Sequence, residues 1–313
     1  MYSKEEIKNF LNEVTIDFFI VLKKYLYIFH TLCSFLVLLN YYIIRQNKIV
    51  IVQYKFLSTV YFLLLSLALM TYIKCIKEES LSTKDIFFDT DLECEQMELN
   101  INRFFYYEIL EKIVPKNKTC EICNTYKPPR THHCKRCNKC YPKFYHHCKI
   151  FNLCIEFIKF RFYYQFLFYN ACLNFYSVAL FSLNGFNNLQ QIHLYIVYSV
   201  NCLVSLVVGV YSLYLFIIST FLILNNETTV EYNCLNAYII GDNSLNDIFQ
   251  EGPIKYQVSS RDRKYLNPYN INKVYNWEEV MGDTFFEWIF PLGIERGKGN
   301  KFKVNFVSKN EFV

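Results

Sequence analysis

The sequence predicts an all-α polytopic membrane protein: four transmembrane helices, with a cytosolic cysteine-rich domain between the second and the third. Three observations carry that prediction. The 313 residues are 53% hydrophobic and 19% aromatic, yet still 19% charged, which fits apolar blocks separated by ordinary polar segments better than a soluble enzyme. Four blocks, residues 25–44, 56–73, 162–183 and 195–224, contain no Asp, Glu, Lys or Arg. Seven of the thirteen cysteines fall between Cys120 and Cys154.

Residues 1–24 hold Glu5, Glu6, Glu13 and Asp17 and no small-residue cleavage site, so they read as a cytosolic N-terminus rather than a signal peptide. Residues 25–73 supply helices 1 and 2, each block being long enough to cross hydrocarbon. A soluble amphipathic helix would carry charge on one face, and these carry none. Residues 74–161 form a loop whose cysteine-rich part is 118–161. Residues 162–224 supply helices 3 and 4, the last being long enough to tilt. Residues 225–313 are a tail.

Basic residues orient the spans. Lys74 and Lys77, and then Lys159 and Arg161, flank the central loop, whereas 185–191 is uncharged. The loop and both termini are therefore placed in the cytosol, with Arg45, Lys48 and Lys55 pulling the other way more weakly. The sequon at Asn117 is then cytosolic and unused. A net charge of +5 is too mild for nucleic acid and suits the anionic face of a bilayer. No internal repeat is read from the chain.

The cluster runs Cys120-x2-Cys123, Lys127-Pro128-Pro129-Arg130, His132-His133-Cys134, Cys137, Cys140, Tyr145-His146-His147-Cys148 and Cys154. Cysteines two residues apart can grip one tetrahedral zinc from a tight turn, and reducing cytosol keeps the thiols available. The cluster offers eleven candidate ligands. Two closed structural zinc sites use eight, so three are surplus. Counting does not say which three, and a two-zinc interaction module of the RING or LIM kind remains open at this point.

With these residues in view, the chain resembles the DHHC-type protein S-acyltransferases (palmitoyltransferases). The spacing Cys-x2-Cys-x3-Lys-Pro-Pro-Arg-x2-His-Cys-x2-Cys-x2-Cys, then His146-His147-Cys148-x5-Cys154, matches theirs without a gap. Thr228-Thr229-Val230-Glu231 resembles their Thr-Thr-x-Glu motif. Asn267-Pro268-Tyr269 and Asn276-Trp277-Glu278-Glu279-Val280-Met281-Gly282 resemble their C-terminal motif, expected to pack the tail against the membrane domain. The resemblance implies one zinc on Cys120, Cys123, His133 and Cys140 and another on Cys134, Cys137, His147 and Cys154. It makes Cys148 the nucleophile and His146 its general base.

The implied activity is transfer of a long-chain acyl group from palmitoyl-CoA or a similar acyl-CoA, through acyl-Cys148, to cysteines of membrane-associated proteins in the endoplasmic reticulum or Golgi. Lys143 and Lys149 are candidates to offset the negative charge of the zinc sites near that thiolate. Lys135, Arg136 and Lys139 are candidates for the CoA phosphates. Tyr145, the third catalytic candidate, stands where the family has Asp, and Glu231 is a second candidate to orient His146. Lys149, Ile150 and Lys159 replace the family's Pro, Trp and Asn. A phenol is uncharged near neutral pH, so the alternative is a catalytically impaired, zinc-binding membrane scaffold.

Overall fold

The computed structural model describes residues 51–85, 119–187, 192–240, 267, 269–292, 299 and 302–303. The expected first span, 25–44, and most of the tail lie outside the described residues. The described elements are helix α1 (Ile51–Lys77), strands β1 (Thr119–Cys120), β2 (Thr125–Tyr126), β3 (His132–Cys134), β4 (Lys139–Tyr141), β5 (His146–Cys148) and β6 (Leu153–Ile155), then helices α2 (Phe157–Asn187), α3 (Ile192–Leu224), α4 (Thr229–Ile240), α5 (Lys273–Met281) and α6 (Phe285–Ile289). The chain divides into two compact units. One is Met1–Met70, Lys149–Asn152 and Phe166–Leu215; the other is Thr71–Cys148, Leu153–Gln165 and Phe216–Val313.

Among the described residues two stretches, Phe56–Lys77 of α1 and Tyr195–Leu224 of α3, are long and apolar enough to cross a membrane. The faces they turn outward say the same. On α3, Val200, Leu203, Val207, Val210, Tyr214 and Ile217 are all exposed. They are spaced alternately three and four apart, which is one face of a helix. An outward apolar stripe of that length needs lipid against it.

The expected third span falls inside α2 and has a different character. Its outward face is short, and its interior is polar and buried. Within the first unit, Asn170 donates to Ser212 Oγ at 2.7 Å, and Asn174 donates to the Asn170 carbonyl. Gly209 of α3 lies so near α2 that a Cβ there would be 3.2 Å from Asn174 Cβ, the small-residue contact that lets membrane helices approach. Tyr61, Leu173 and Leu180 form the unit's apolar core, and Tyr176 Oη donates to the Leu57 carbonyl at 2.8 Å.

The cysteine-rich segment is not helical. It is three two-stranded antiparallel hairpins, β1–β2, β3–β4 and β5–β6. They correct one sequence expectation, because they are an internal repeat with a period of fourteen residues. Thr119 pairs with Tyr126, His133 with Cys140, and His147 with Cys154. In each turn an Asn holds a positive φ at the same place: Asn124 (53°), Asn138 (51°) and Asn152 (54°). Asn tolerates that left-handed conformation better than most residues. The repeat escapes a residue-by-residue reading because only the leading cysteine and this Asn recur in all three units.

Candidate active site and metal centres

The hairpin repeat places the metal ligands. The first two turns each carry a Cys-x2-Cys knuckle, and the second and third strand pairs each set a His directly across from a Cys. The first turn, Cys120 and Cys123, meets the His133–Cys140 pair of the second hairpin; the second turn, Cys134 and Cys137, meets the His147–Cys154 pair of the third. In each group the four ligand atoms lie within 4.8 Å of one another.

The donor geometry fits a tetrahedral ion. Bonds of about 2.3 Å to sulfur and about 2.0–2.1 Å to nitrogen put N and S about 3.6 Å apart across a tetrahedral edge. His133 Nδ1 is 3.6, 3.3 and 3.6 Å from the sulfurs of Cys120, Cys123 and Cys140. His147 Nδ1 is 3.6, 3.4 and 3.6 Å from those of Cys134, Cys137 and Cys154. The two clusters can hold two metal ions.

The repeat also explains the surplus thiol. Cys148 opens the third turn, at the position of Cys120 and Cys134. The partner position that Cys123 and Cys137 fill is Phe151. With Phe there the third turn cannot form a knuckle, and Cys148 belongs to neither cluster. Its cross-strand neighbour is Leu153. Side chains alternate along a strand, so with His147 turned to the second metal cluster, His146 and Cys148 share the opposite face of β5.

Around them the site is aromatic. Tyr145 is buried, and its ring stacks on Phe160 with centroids 3.7 Å apart and planes 5° off parallel. His146 meets the edge of Tyr163 at 5.4 Å. Phe160 and Tyr163 are three apart on α2, so the start of this helix backs both residues. Burial, then proximity to His147, lowers the His146 imidazolium pKa to about 4, leaving His146 neutral and able to accept a proton at pH 7. Burial likewise lowers His132 to about 4, and burial raises the Tyr145 phenol further above its ordinary value.

The carboxylate considered for orienting His146 is committed elsewhere. Glu231 Oε1 and Oε2 accept from Arg130 Nε at 2.7 Å and Nη2 at 2.8 Å. The Thr-Thr-x-Glu motif is itself a capping box: Thr228 N donates to Glu231 Oε2 at 2.7 Å, and Glu231 N donates to Thr228 Oγ1 at 3.2 Å. Burial alone would raise the Glu231 carboxyl, but Arg130 and the Thr228 amide hold it below its ordinary value.

Arg130 has further partners, which the sequence reading missed. Its Nη1 and Nη2 donate to Asn226 Oδ1 at 3.0 Å and the Asn226 carbonyl at 2.8 Å, and its guanidinium lies 4.4 Å from the Tyr269 ring centroid. Asn226 holds a left-handed turn at φ 48°. It donates to the Tyr269 carbonyl and to Glu279 Oε2. Asn267 donates back to the Asn225 and Asn226 carbonyls, and Asn276 to that of Leu224 at 2.8 Å. The zinc-type hairpins, the end of α3 and the C-terminal segment thus meet in one polar clasp. Its available signal was the Asn225-Asn226 pair directly after an apolar block.

Lys143, considered as a counter-charge for Cys148, is fully buried against Glu279, 3.2 Å away, and lies over the Phe157 ring. Burial lowers its pKa to about 8, against the opposing pull of Glu279. Lys135, Arg136, Lys139 and Lys149 are exposed. Cys75, expected in the cytosolic loop, is instead fully buried near the end of α1, its sulfur 4.0 Å from the Lys159 carbonyl.

A family model described as DHHC palmitoyltransferase matches residues 113–235. Among named proteins, palmitoyltransferase PFA3 of Candida glabrata is 27% identical over 241 residues, covering 74% of this chain and 70% of the relative. Palmitoyltransferase PFA3 of Saccharomyces cerevisiae is 25% identical, covering 59% and 54%. Palmitoyltransferase ZDHHC20 of Bos taurus is 30% identical, covering 60% and 47%. The chain spans about half the length of these last two relatives. Residues 113–235, which hold the paired metal clusters and the thiol outside them, thus form a DHHC palmitoyltransferase-type domain.

Proposed function

We propose that the chain is a protein-cysteine S-palmitoyltransferase that uses Cys148 as nucleophile and His146 as general base. The observation that carries this reading is the placement of Cys148: a thiol outside both metal clusters, on the strand face it shares with a neutral imidazole. His146 takes the thiol proton. The thiolate attacks the thioester carbonyl of a long-chain acyl-CoA, the carbon–sulfur bond to CoA breaks, and the CoA thiolate leaves with the proton from His146. A cysteine of a membrane-associated protein then attacks acyl-Cys148, its proton passing to His146 and on to Cys148.

Zinc is the ion the two Cys3His sets favour, and bound there it holds the hairpins in register. Tyr145 supports His146 by its stack on Phe160, in place of a charged orienting group. A palmitoyl chain gains about 0.8 kcal/mol per CH2 buried, which suits an enzyme set among apolar helices and confines acceptors to cysteines near the bilayer. Four spans, cytosolic termini and an endoplasmic reticulum or Golgi membrane complete the proposal. An impaired scaffold has less support, because scaffolding makes no use of Cys148 or His146.

The test is labelling of the purified full chain with radioactive palmitoyl-CoA. The expected result is a hydroxylamine-sensitive label on wild type that Cys148→Ser abolishes. A wild-type chain holding two zinc ions but taking no label would leave only the scaffold.

A further inference from the structure

We propose that the segment around α6 is an interfacial membrane anchor, seated in the headgroup–acyl boundary of the same bilayer that the apolar helices cross. The inference rests on the membrane-crossing character of α1 and α3 and not on acyl transfer. The segment Thr284-Phe285-Phe286-Glu287-Trp288-Ile289-Phe290-Pro291-Leu292 is strongly apolar, yet it does not bury its largest side chains. Phe285 and Phe286 are 63% and 66% exposed, and Phe290 and Leu292 are exposed beside them. In water this would be an unsupported patch.

The segment is nevertheless well built. Thr284 and Glu287 form a reciprocal capping box, and Trp288 Nε1 donates to the Gly282 carbonyl at 2.7 Å. The outward rings therefore belong to an ordered turn.

Its height is set by bonds to the ends of α2 and α3 within the same unit. Gln165, where the apolar stretch of α2 begins, donates to the carbonyls of Glu287 and Trp288 at 2.9 and 3.0 Å, and Arg161 donates to the Phe290 carbonyl at 3.1 Å. The preceding helix α5 is tied by Asn276 to the carbonyl of Leu224, the last residue of the apolar stretch of α3. The Tyr164 ring meets Trp277, which meets Trp288, both edge to face at 5.8 Å. Exposed aromatic rings at the depth where apolar helices end are the composition of a bilayer interface. The occupant committed to is lipid, because Arg161, Gln165 and Asn276 hold the exposed rings at the level where the apolar stretches of α2 and α3 end.

An anchor here has a consequence for the site. The same C-terminal segment supplies Glu279 to Lys143 and Asn226, so seating α6 in lipid fixes the polar clasp at one depth.

The experiment uses the full chain in nanodiscs at one copy per disc. Phe285→Trp and Phe286→Trp each add one reporter to the two native tryptophans, and Val207→Trp on the outward face of α3 serves as the control for a lipid-facing site. Emission added over wild type is read in bilayers of ordinary and of acyl-chain-brominated phosphatidylcholine, and against aqueous iodide. The expected result is loss of the added emission in brominated lipid for all three variants, with weak iodide quenching. If the control is quenched by brominated lipid while both α6 reporters answer only to iodide, the segment faces water and the anchor is overturned. If neither quencher reaches them, protein covers the patch and the proposal is likewise overturned. Zinc content of each variant, matched to wild type, confirms that the reporters sit in folded protein.

Discussion

Replacing Arg130 by Met is the perturbation whose cost the structure defines most directly. Arg130 lies at the centre of the polar clasp, with two hydrogen bonds to the Glu231 carboxylate and two to Asn226. Its side chain is 1% exposed and that of Glu231 18%. Met fills similar volume and keeps contact with Tyr269, so the packing loss is small. The charge loss is not small, because Glu231 stays in place with the Thr228 amide as its one remaining close donor among the bonds described. Breaking a buried pair from one side costs about 3–5 kcal/mol. The partial exposure of Glu231 sets the expectation at the lower end, about 3 kcal/mol, or about two orders of magnitude in the unfolding equilibrium. Much of this is the penalty of a stranded carboxylate, so it must couple to Glu231. Arg130→Met together with Glu231→Gln should recover at least half of the loss, whereas independent sites would add. The assay is thermal unfolding in detergent micelles, followed by zinc release, for wild type, both single variants and the pair. Strict additivity, or a loss from Arg130→Met below about 1 kcal/mol, would refute the clasp as a buried charge pair.

Three further outcomes follow from the site. Chelation should release two zinc ions per chain and abolish the hairpin fold, since structural sites of this kind carry about 10–16 kcal/mol of binding energy in small peptides; metal analysis with far-ultraviolet circular dichroism checks it, and an intact hairpin domain after full zinc loss would contradict the ligand sets. Tyr145→Phe keeps the stack on Phe160 and should leave Cys148 labelling unchanged within error, whereas a large fall would make the phenol the orienting group; Tyr145→Ala should lower both stability and labelling. Lys143 has a folded-state pKa of about 8, depressed by burial from 10.5. The unfolded chain holds the extra proton between those values, so this residue's contribution to folding becomes more favourable as pH rises from 8 to 10.5. Lys143→Met should lack that gain, and the difference between the two melting curves across the window is the measurement.

How far the sequence could be read depended on which physical signal each feature leaves. Helices α1 and α3 were legible because lipid demands an unbroken absence of charge, and their described faces carry the apolar stripe that this implies. Helix α2 was legible as a helix but less as a span. Its Gln165, Asn170 and Asn174 are buried polar residues that donate to partners inside the protein, and no count of charged residues distinguishes those from lipid-facing ones. The grouping of Cys120, Cys123, His133 and Cys140 apart from Cys134, Cys137, His147 and Cys154 came from family spacing, since counting reached only the surplus of three. The clasp was hidden for another reason. Arg130, Asn226 and Glu279 meet across about 150 residues of chain, and each alone is an ordinary surface-type residue whose burial only tertiary structure can reveal.

The hairpin repeat joins these observations into one argument about Cys148. Two turns of the repeat close as knuckles because a second cysteine follows at the third position, at Cys123 and Cys137. The third turn has Phe151 there, so its leading cysteine keeps the strand geometry of a ligand without a metal to hold. A thiol made by truncating a structural repeat is rigidly placed by the β5–β6 pairing, and it needs no separate scaffold to present it. The same strand alternation that sends His147 to the metal brings His146 to the side of the thiol. What the repeat does not supply is charge: Glu231 is bound to Arg130, Glu279 to Lys143 and Asn226, and Tyr145 contributes a buried ring. The imidazole meets the edge of Tyr163, whose ring packs on Phe160, so Cys148 labelling should depend more on the shape of those rings than on any single ionised partner. Tyr163→Leu, which removes the edge against His146, should thus slow Cys148 labelling more than Glu279→Gln does. The reverse order in a side-by-side labelling time course would mean that a carboxylate reaches the base after all.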